Sequence, residues 1–124
     1  MLEVQSLPPY VEPFLQLSQE YFSEASHQLV KAALRVAVEK LDGMTRYDGT
    51  PLVLHSAGTA TIVMCEIGLG RNSVISTLLH DVVRLELMDL NRIGRHYGEQ
   101  CIGILKGLCN ISDVDTKAAE DQVD

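Results

Sequence analysis

The sequence predicts an all-α fold of about six helices. Apolar residues recur at helical spacing in successive segments. Capping residues, prolines and glycines bracket those segments, and none of them alternates polar and apolar residues between strand-type turns.

Met1 to Pro9, with Pro8-Pro9, predicts an irregular, loosely packed lead-in. Pro13 suits the first turn of a short helix in which Phe14, Leu17 and Tyr21 share a face, ending near Phe22. Residues 1–22 thus form a lead-in and short helix, and residues 23–124 the main domain. Ser23 or Ser26 caps the next helix, with Leu29, Ala33, Val36, Ala37 and Leu41 inward and Lys31, Arg35 and Glu39 outward. Asp42-Gly43 ends it, and Met44 to Pro51 is a polar loop. Thr50-Pro51 opens a helix through Leu54, Ala57, Thr61, Met64 and Cys65 to a stop at Gly68. Asn72 or Ser73 caps the helix that carries His80-Asp81, and Asp89 caps one with Leu90, Ile93 and Tyr97 inward, closed by Gly98. Ile102, Leu105 and Leu108 mark the last. Gly58 and Gly103 suit close helix packing. Beyond Asn110 the chain turns acidic and reaches Asp124 on a helix-like start with no closing signal, which predicts the front of a longer polypeptide.

With 46% hydrophobic and 22% charged residues, the chain fits one globular domain. Its apolar runs fall short of the roughly 20 residues of a membrane span, and Met1-Leu2-Glu3 lacks the basic start of a signal peptide, so a cytoplasmic protein is expected. Cys65, Cys101 and Cys109 have no C-x-x-C spacing and read as buried reduced thiols. A net charge of −7 with scattered Lys and Arg disfavours nucleic acid as a partner.

Ser76 to Val83 holds the polar residues that solvent exposure explains least. Leu78, Leu79, Val82 and Val83 leave almost no polar helix face, so His80 and Asp81 start beside the core. A carboxylate there needs a cation, a donor or a metal. His55 precedes the pair by 25 residues, a helix-loop-helix distance, and two imidazoles and a carboxylate on facing helices suit Mn²⁺, Fe²⁺ or Zn²⁺. Spacing alone leaves open a His-Asp dipeptide that meets no metal. His27 and His96 read as surface residues. Arg84, three residues after Asp81 and four after His80, can fold back onto the carboxylate and take the metal's place as its counter-charge.

Lys31-Ala32-Ala33-Leu34-Arg35, Gly43-Met44-Thr45-Arg46-Tyr47-Asp48-Gly49-Thr50-Pro51, Val53-Leu54-His55, Leu78-Leu79-His80-Asp81-Val82-Val83 and Tyr97-Gly98 follow one another in a characteristic order. From about Val30 to Asp121 the chain thereby resembles the HD hydrolase domain that begins the RelA/SpoT family of (p)ppGpp synthetases and hydrolases. The resemblance implies an HD helical bundle, truncated on its C-terminal side, with residues 23–124 a partial HD domain. In active members it implies Mn²⁺-dependent removal of the 3′-pyrophosphate. By position His55, His80 and Asp81 match three of four metal ligands, and Arg46 matches a nucleotide-facing basic residue. The fourth ligand, a later aspartate, has no counterpart before Asp124.

Other departures point to a worn site. Where active members carry a Glu-Asp pair that activates water, this chain has Arg84-Leu85. Neither side chain can act as a base or accept from a metal-bound water. The family's Arg-Lys pair is Arg46-Tyr47, its A-H-x-G-Q segment is Lys40-Leu41-Asp42-Gly43-Met44, and its His-Pro is His55-Ser56. The expectation is a hydrolase-inactive domain with no catalytic pair of its own. Its metal ligands would be vestigial, with Mn²⁺ weak or absent, and its guanosine nucleotide binding weak. It would regulate a synthetase domain of the same chain, in a full-length GTP pyrophosphokinase of the stringent response. The alternative is an active Mn²⁺-dependent pyrophosphohydrolase that uses Glu86 or Asp89.

Overall fold

Helix α1 (Glu12–Tyr21) follows a 3₁₀ turn at Pro9–Val11, and Ser23 accepts a hydrogen bond from the Ser26 backbone N–H at 3.3 Å to start α2 (Glu24–Lys40). Then come α3 (Leu52–Thr61), α4 (Arg71–Arg84), α5 (Leu90–Tyr97) and α6, helical over residues 99–109. The computed structural model describes residues 7–109 and is all-α, with no β-strand among them. The predicted acidic tail lies outside the described residues.

The core forms where α4 packs across α2 and α3. Val74, Ile75, Leu78, Leu79 and Val82 of α4 are fully buried. They meet Val30, Ala33, Leu34 and Ala37 of α2 and Val53, Ala57 and Ala60 of α3 in one apolar cluster. Since Leu78, Leu79 and Val82 fill the inward face, the ring and carboxylate of His80 and Asp81 emerge at its edge. α5 and α6 add Ile93, Cys101 and Leu105 to the same cluster. The only cysteine fully buried among the described three is Cys101; Cys65 and Cys109 are half-buried, a correction to the expectation of three buried thiols.

Several inward faces differ from those predicted. In α2 the buried positions are His27, Val30, Ala33, Leu34 and Ala37, continued by Leu41, while Leu29 and Val36 are half-buried. In α1 they are Phe14, Leu15 and Ser18, whereas Tyr21 is 51% exposed. Both rotations serve one contact: α1 lies on the N-terminal part of α2, and Ser18 Oγ and His27 Nδ1 share a buried hydrogen bond at 2.9 Å. His27 is therefore a core residue and not the surface histidine expected, while His96 is exposed as expected. Val11, at the N-cap of α1, is fully buried. Replacing Ser18 with alanine should cost about 1–3 kcal/mol, because it strands a buried imidazole nitrogen. Denaturant unfolding checks this, and a loss below about 0.5 kcal/mol, as at ordinary surface sites, would contradict it.

Helix ends account for the other differences. Pro51 occupies the N-cap of α3 (φ −55°, ψ 134°) instead of its first turn, and its carbonyl accepts from the Leu54 and His55 N–H groups. After Thr61 the helix widens into a π-helical stretch, Ile62–Ile67, before Gly68 stops it at φ +80°, a conformation that favours glycine. α4 begins at Arg71 with Gly70 as N-cap and no side-chain cap. Asn72 reaches Gln100 of α6 instead of capping. The close-packed glycine is Gly94, where a Cβ would collide with Ile102; Gly58 and Gly103 have open space around them.

Candidate functional site

The loop between α2 and α3 is tied at both ends. Leu52 N–H donates to the Met44 carbonyl at 2.9 Å, Arg46 N–H to Thr50 at 2.8 Å, and Gly49 N–H to Arg46 at 2.9 Å. Asp48 accepts from the Thr50 N–H at 2.9 Å, a bond that holds its carboxyl below the usual aspartate range, with the Arg46 charge adding to it. This bracing presents Arg46 and Tyr47 to one side of the molecule. The Arg46 guanidinium lies 5.7 Å from the Tyr47 ring centroid, and Tyr47 is 95% exposed.

The loop forms one wall of a cleft of about 530 Å³. Its lining comes from Arg46 and Tyr47 of the loop, Leu52 and His55 at the start of α3, and Asp81, Arg84 and Leu85 at the end of α4. His55 is exposed on the first turns of α3, where the sequence placed it.

Asp81 is 8% exposed, so its charge needs partners. It has three. The Arg84 Nε–H donates to Oδ1 at 3.0 Å, Arg84 Nη2 lies 2.9 Å from the same oxygen, and Ser56 Oγ donates to Oδ2 at 3.2 Å. The expected fold-back of Arg84 onto Asp81 is thus observed. In the sequence Ser56 stands out only as a departure from His-Pro. Its position, 25 residues before Asp81 as His55 is 25 before His80, was the signal that could have assigned it.

His80 points elsewhere. It does not line the cleft, and its half-buried ring meets the backbone carbonyl of Leu108 in α6. Burial pushes its pKa below the ordinary histidine value; the Asp81 charge opposes this and the Arg84 charge adds to it. His55 and Asp81 therefore share the cleft, and His80 does not join them. Among the described residues no group of three His, Cys, Asp or Glu side chains is placed to hold a metal ion. The described residues do not fit the Mn²⁺ implied by the resemblance: His80 does not line the cleft, and Asp81, the only buried carboxylate among them, is already engaged by a guanidinium and a hydroxyl.

Glu86 and Asp89, the alternative carboxylates, line a separate cavity with Val83, Leu87, Met88, Leu90 and Arg92. Asp89 is engaged as the N-cap of α5, accepting from the Asn91 N–H at 3.3 Å, and Glu86 adopts φ +58° in the turn that leaves α4.

Residues 33–124 match the HD domain family. The chain belongs to that family. Relatives of this HD domain carry RelA/SpoT-type names. A protein of Mycobacterium leprae named "Probable GTP pyrophosphokinase" is 24% identical over 109 residues, 88% of this chain and 14% of its own length. The bifunctional (p)ppGpp synthase/hydrolase SpoT of Escherichia coli is 26% identical over 100 residues, 81% of this chain and 14% of its own. The guanosine-3′,5′-bis(diphosphate) 3′-pyrophosphohydrolase of Vibrio cholerae is 25% identical over 95 residues, 77% of this chain and 13% of its own. This HD domain spans about one seventh of the length of the curated relatives it matches. Among the described residues no helix is long and apolar enough to cross a membrane.

Proposed function

We propose that this chain is a hydrolase-silent HD domain of a RelA/SpoT-type (p)ppGpp synthetase, acting in the cytoplasm, and that its role is to steady and bias a synthetase domain of the same polypeptide. The observation that carries this reading is the Arg84–Asp81 ion pair, with Nε and Nη2 at 3.0 and 2.9 Å from one carboxylate oxygen. A guanidinium there cancels the charge with which Asp81 would attract a cation. At 4 Å and an effective dielectric of 20 the attraction lost is about 4 kcal/mol per unit charge, and about twice that for a dication. The position that carries a carboxylate in water-activating relatives is this same Arg84, and Leu85 beside it is equally unable to take a proton. What persists is the packed framework: the α2–α4 core, the braced 44–52 loop and a cleft with two arginines. Such a framework can serve a neighbouring domain if that domain makes different contacts with it in two states.

Incubation of the full-length protein with ppGpp and Mn²⁺ tests this. The expected release of pyrophosphate equals that of a protein-free control containing Mn²⁺. Loss of a general base alone removes about 10²–10⁴ in rate, so measurable Mn²⁺-dependent turnover would overturn the reading.

A further inference from the structure

We infer that the face formed by the end of α1 and the π-helical stretch after α3 docks an amphipathic helix of another protein, one whose apolar stripe is flanked by Lys and Arg. The inference goes beyond the hydrolase-silent reading, since this face lies at the opposite end of α3 and α4 from the cleft. Tyr21 is turned out of the core and its hydroxyl meets the Cys65 side chain, which joins the end of α1 to the π-helical stretch. Within that stretch Gly68 N–H donates at 3.0 Å to the Val63 carbonyl, five residues back, so Ile62 and Ile67, also five apart, fall about one turn apart on the same side. Leu69 N–H donates to the same carbonyl at 3.0 Å and pins the following turn beside them. Ile62, Ile67 and Leu69 are 47%, 60% and 46% exposed. Three large aliphatic side chains and a tyrosine thus face water on a backbone already held by hydrogen bonds, and apolar residues grouped in this way mark interaction surfaces. With no β-strand edge among the described residues to receive an extended segment, an amphipathic helix is the partner such a surface of side chains accommodates.

The charge around the face selects the occupant. Glu20, next to Tyr21, and Glu66, next to Ile67, are both exposed. No Lys or Arg occurs in residues 7–30 or 47–70, which contain all of α1, α3 and the π-helical stretch. Arg71, the next cation along the chain, donates to Ser26 Oγ at 3.3 Å and Asn72 Oδ1 at 3.4 Å. An apolar face rimmed by carboxylates alone attracts a cationic rim and rejects an anionic one. A second copy would bring the same glutamates on a chain of net charge −7, and residues 110–124 would bring five acids against Lys117. Anionic lipid headgroups are repelled for the same reason.

Titration of the full chain with a designed helical peptide, a leucine stripe flanked by lysines, tests the inference when the methyl resonances of the protein are followed by NMR. Saturable shifts are expected at Ile62, Ile67 and Leu69, with affinity about ten-fold or more weaker in Ile67→Ser. In case Ile67→Ser disturbs the π-helical stretch, Glu66→Lys, a change at an exposed charge, should weaken the same peptide and leave the circular dichroism unchanged. The same peptide with glutamates in place of the lysines should not bind. Four results would each overturn the inference: no saturable binding, equal binding of a scrambled peptide of the same composition, equal binding of the glutamate version, or shifts confined to other methyls. It also falls if these methyls shift with protein concentration alone, which would make a second copy the occupant, or on adding phosphatidylglycerol vesicles. Nuclear Overhauser contacts from residues 110–124 to Ile67 in the free chain would assign the face to that segment and overturn it as well.

Discussion

Leu79→Ala should destabilise the domain by about 2–5 kcal/mol, a large part of the 5–15 kcal/mol that holds a domain of this size. Leu79 is fully buried in α4, at the centre of the cluster shared with α2 and α3. Truncation there removes the transfer free energy of three carbons and leaves a cavity that three packed helices cannot collapse into. Because α4 also carries Asp81 and Arg84, the cleft should loosen along with the core. Leu85, one residue beyond the helix, is 37% exposed, and its alanine variant is the control, expected within about 0.5 kcal/mol of the parent. Urea unfolding monitored by circular dichroism separates the two. Similar losses at both positions would mean that α4 does not organise the core as described.

The second large effect belongs to the Asp81–Arg84 pair. Arg84→Ala removes both guanidinium contacts from a nearly buried carboxylate and leaves only the Ser56 hydroxyl, whose single proton is also within reach of the Leu52 carbonyl at 3.3 Å. A fully buried pair broken in this way costs about 3–5 kcal/mol. Arg84 is 40% exposed, so solvent screening lowers the expected loss to about 1–2 kcal/mol. Asp81→Asn introduced into Arg84→Ala should recover most of it, since the amide carries no charge to desolvate and still accepts from Ser56. A double-mutant cycle should therefore return a favourable coupling that shrinks at high salt. Independent, additive losses would mean that the pair holds no stability in solution.

The helix-bearing segments were legible because the core of this domain is built from aliphatic residues at helical spacing: Leu78, Leu79 and Val82 announce α4 with no tertiary information. The Asp81–Arg84 contact was legible for a similar reason, being local, three residues apart on one helix. Contacts between helices were not. His27 sits among polar neighbours, so it reads as solvent-facing, yet 27, 30, 34, 37 and 41 repeat at core spacing, and α1 supplies Ser18 to satisfy the ring. His80 and His55 have the separation of a metal-binding pair, but whether a half-buried ring turns to the cleft or to α6 depends on where Leu108 arrives. Helix starts misled where a capping residue was used otherwise, as when Asn72 is spent on Gln100 and Gly70 stands at the N-cap. The π-helical stretch after Thr61 has no marker in the run Ile62-Val63-Met64-Cys65.

Mn²⁺ binding, followed by the electron paramagnetic resonance amplitude of the aqueous ion, tests most directly the claim that a guanidinium has displaced the metal at Asp81. With the protein in excess, the signal should match a protein-free control, because the carboxylate that would anchor the ion is held by Arg84 and Ser56 and His80 faces α6. A saturable loss of signal at one ion per chain, abolished by Asp81→Asn, would contradict the account.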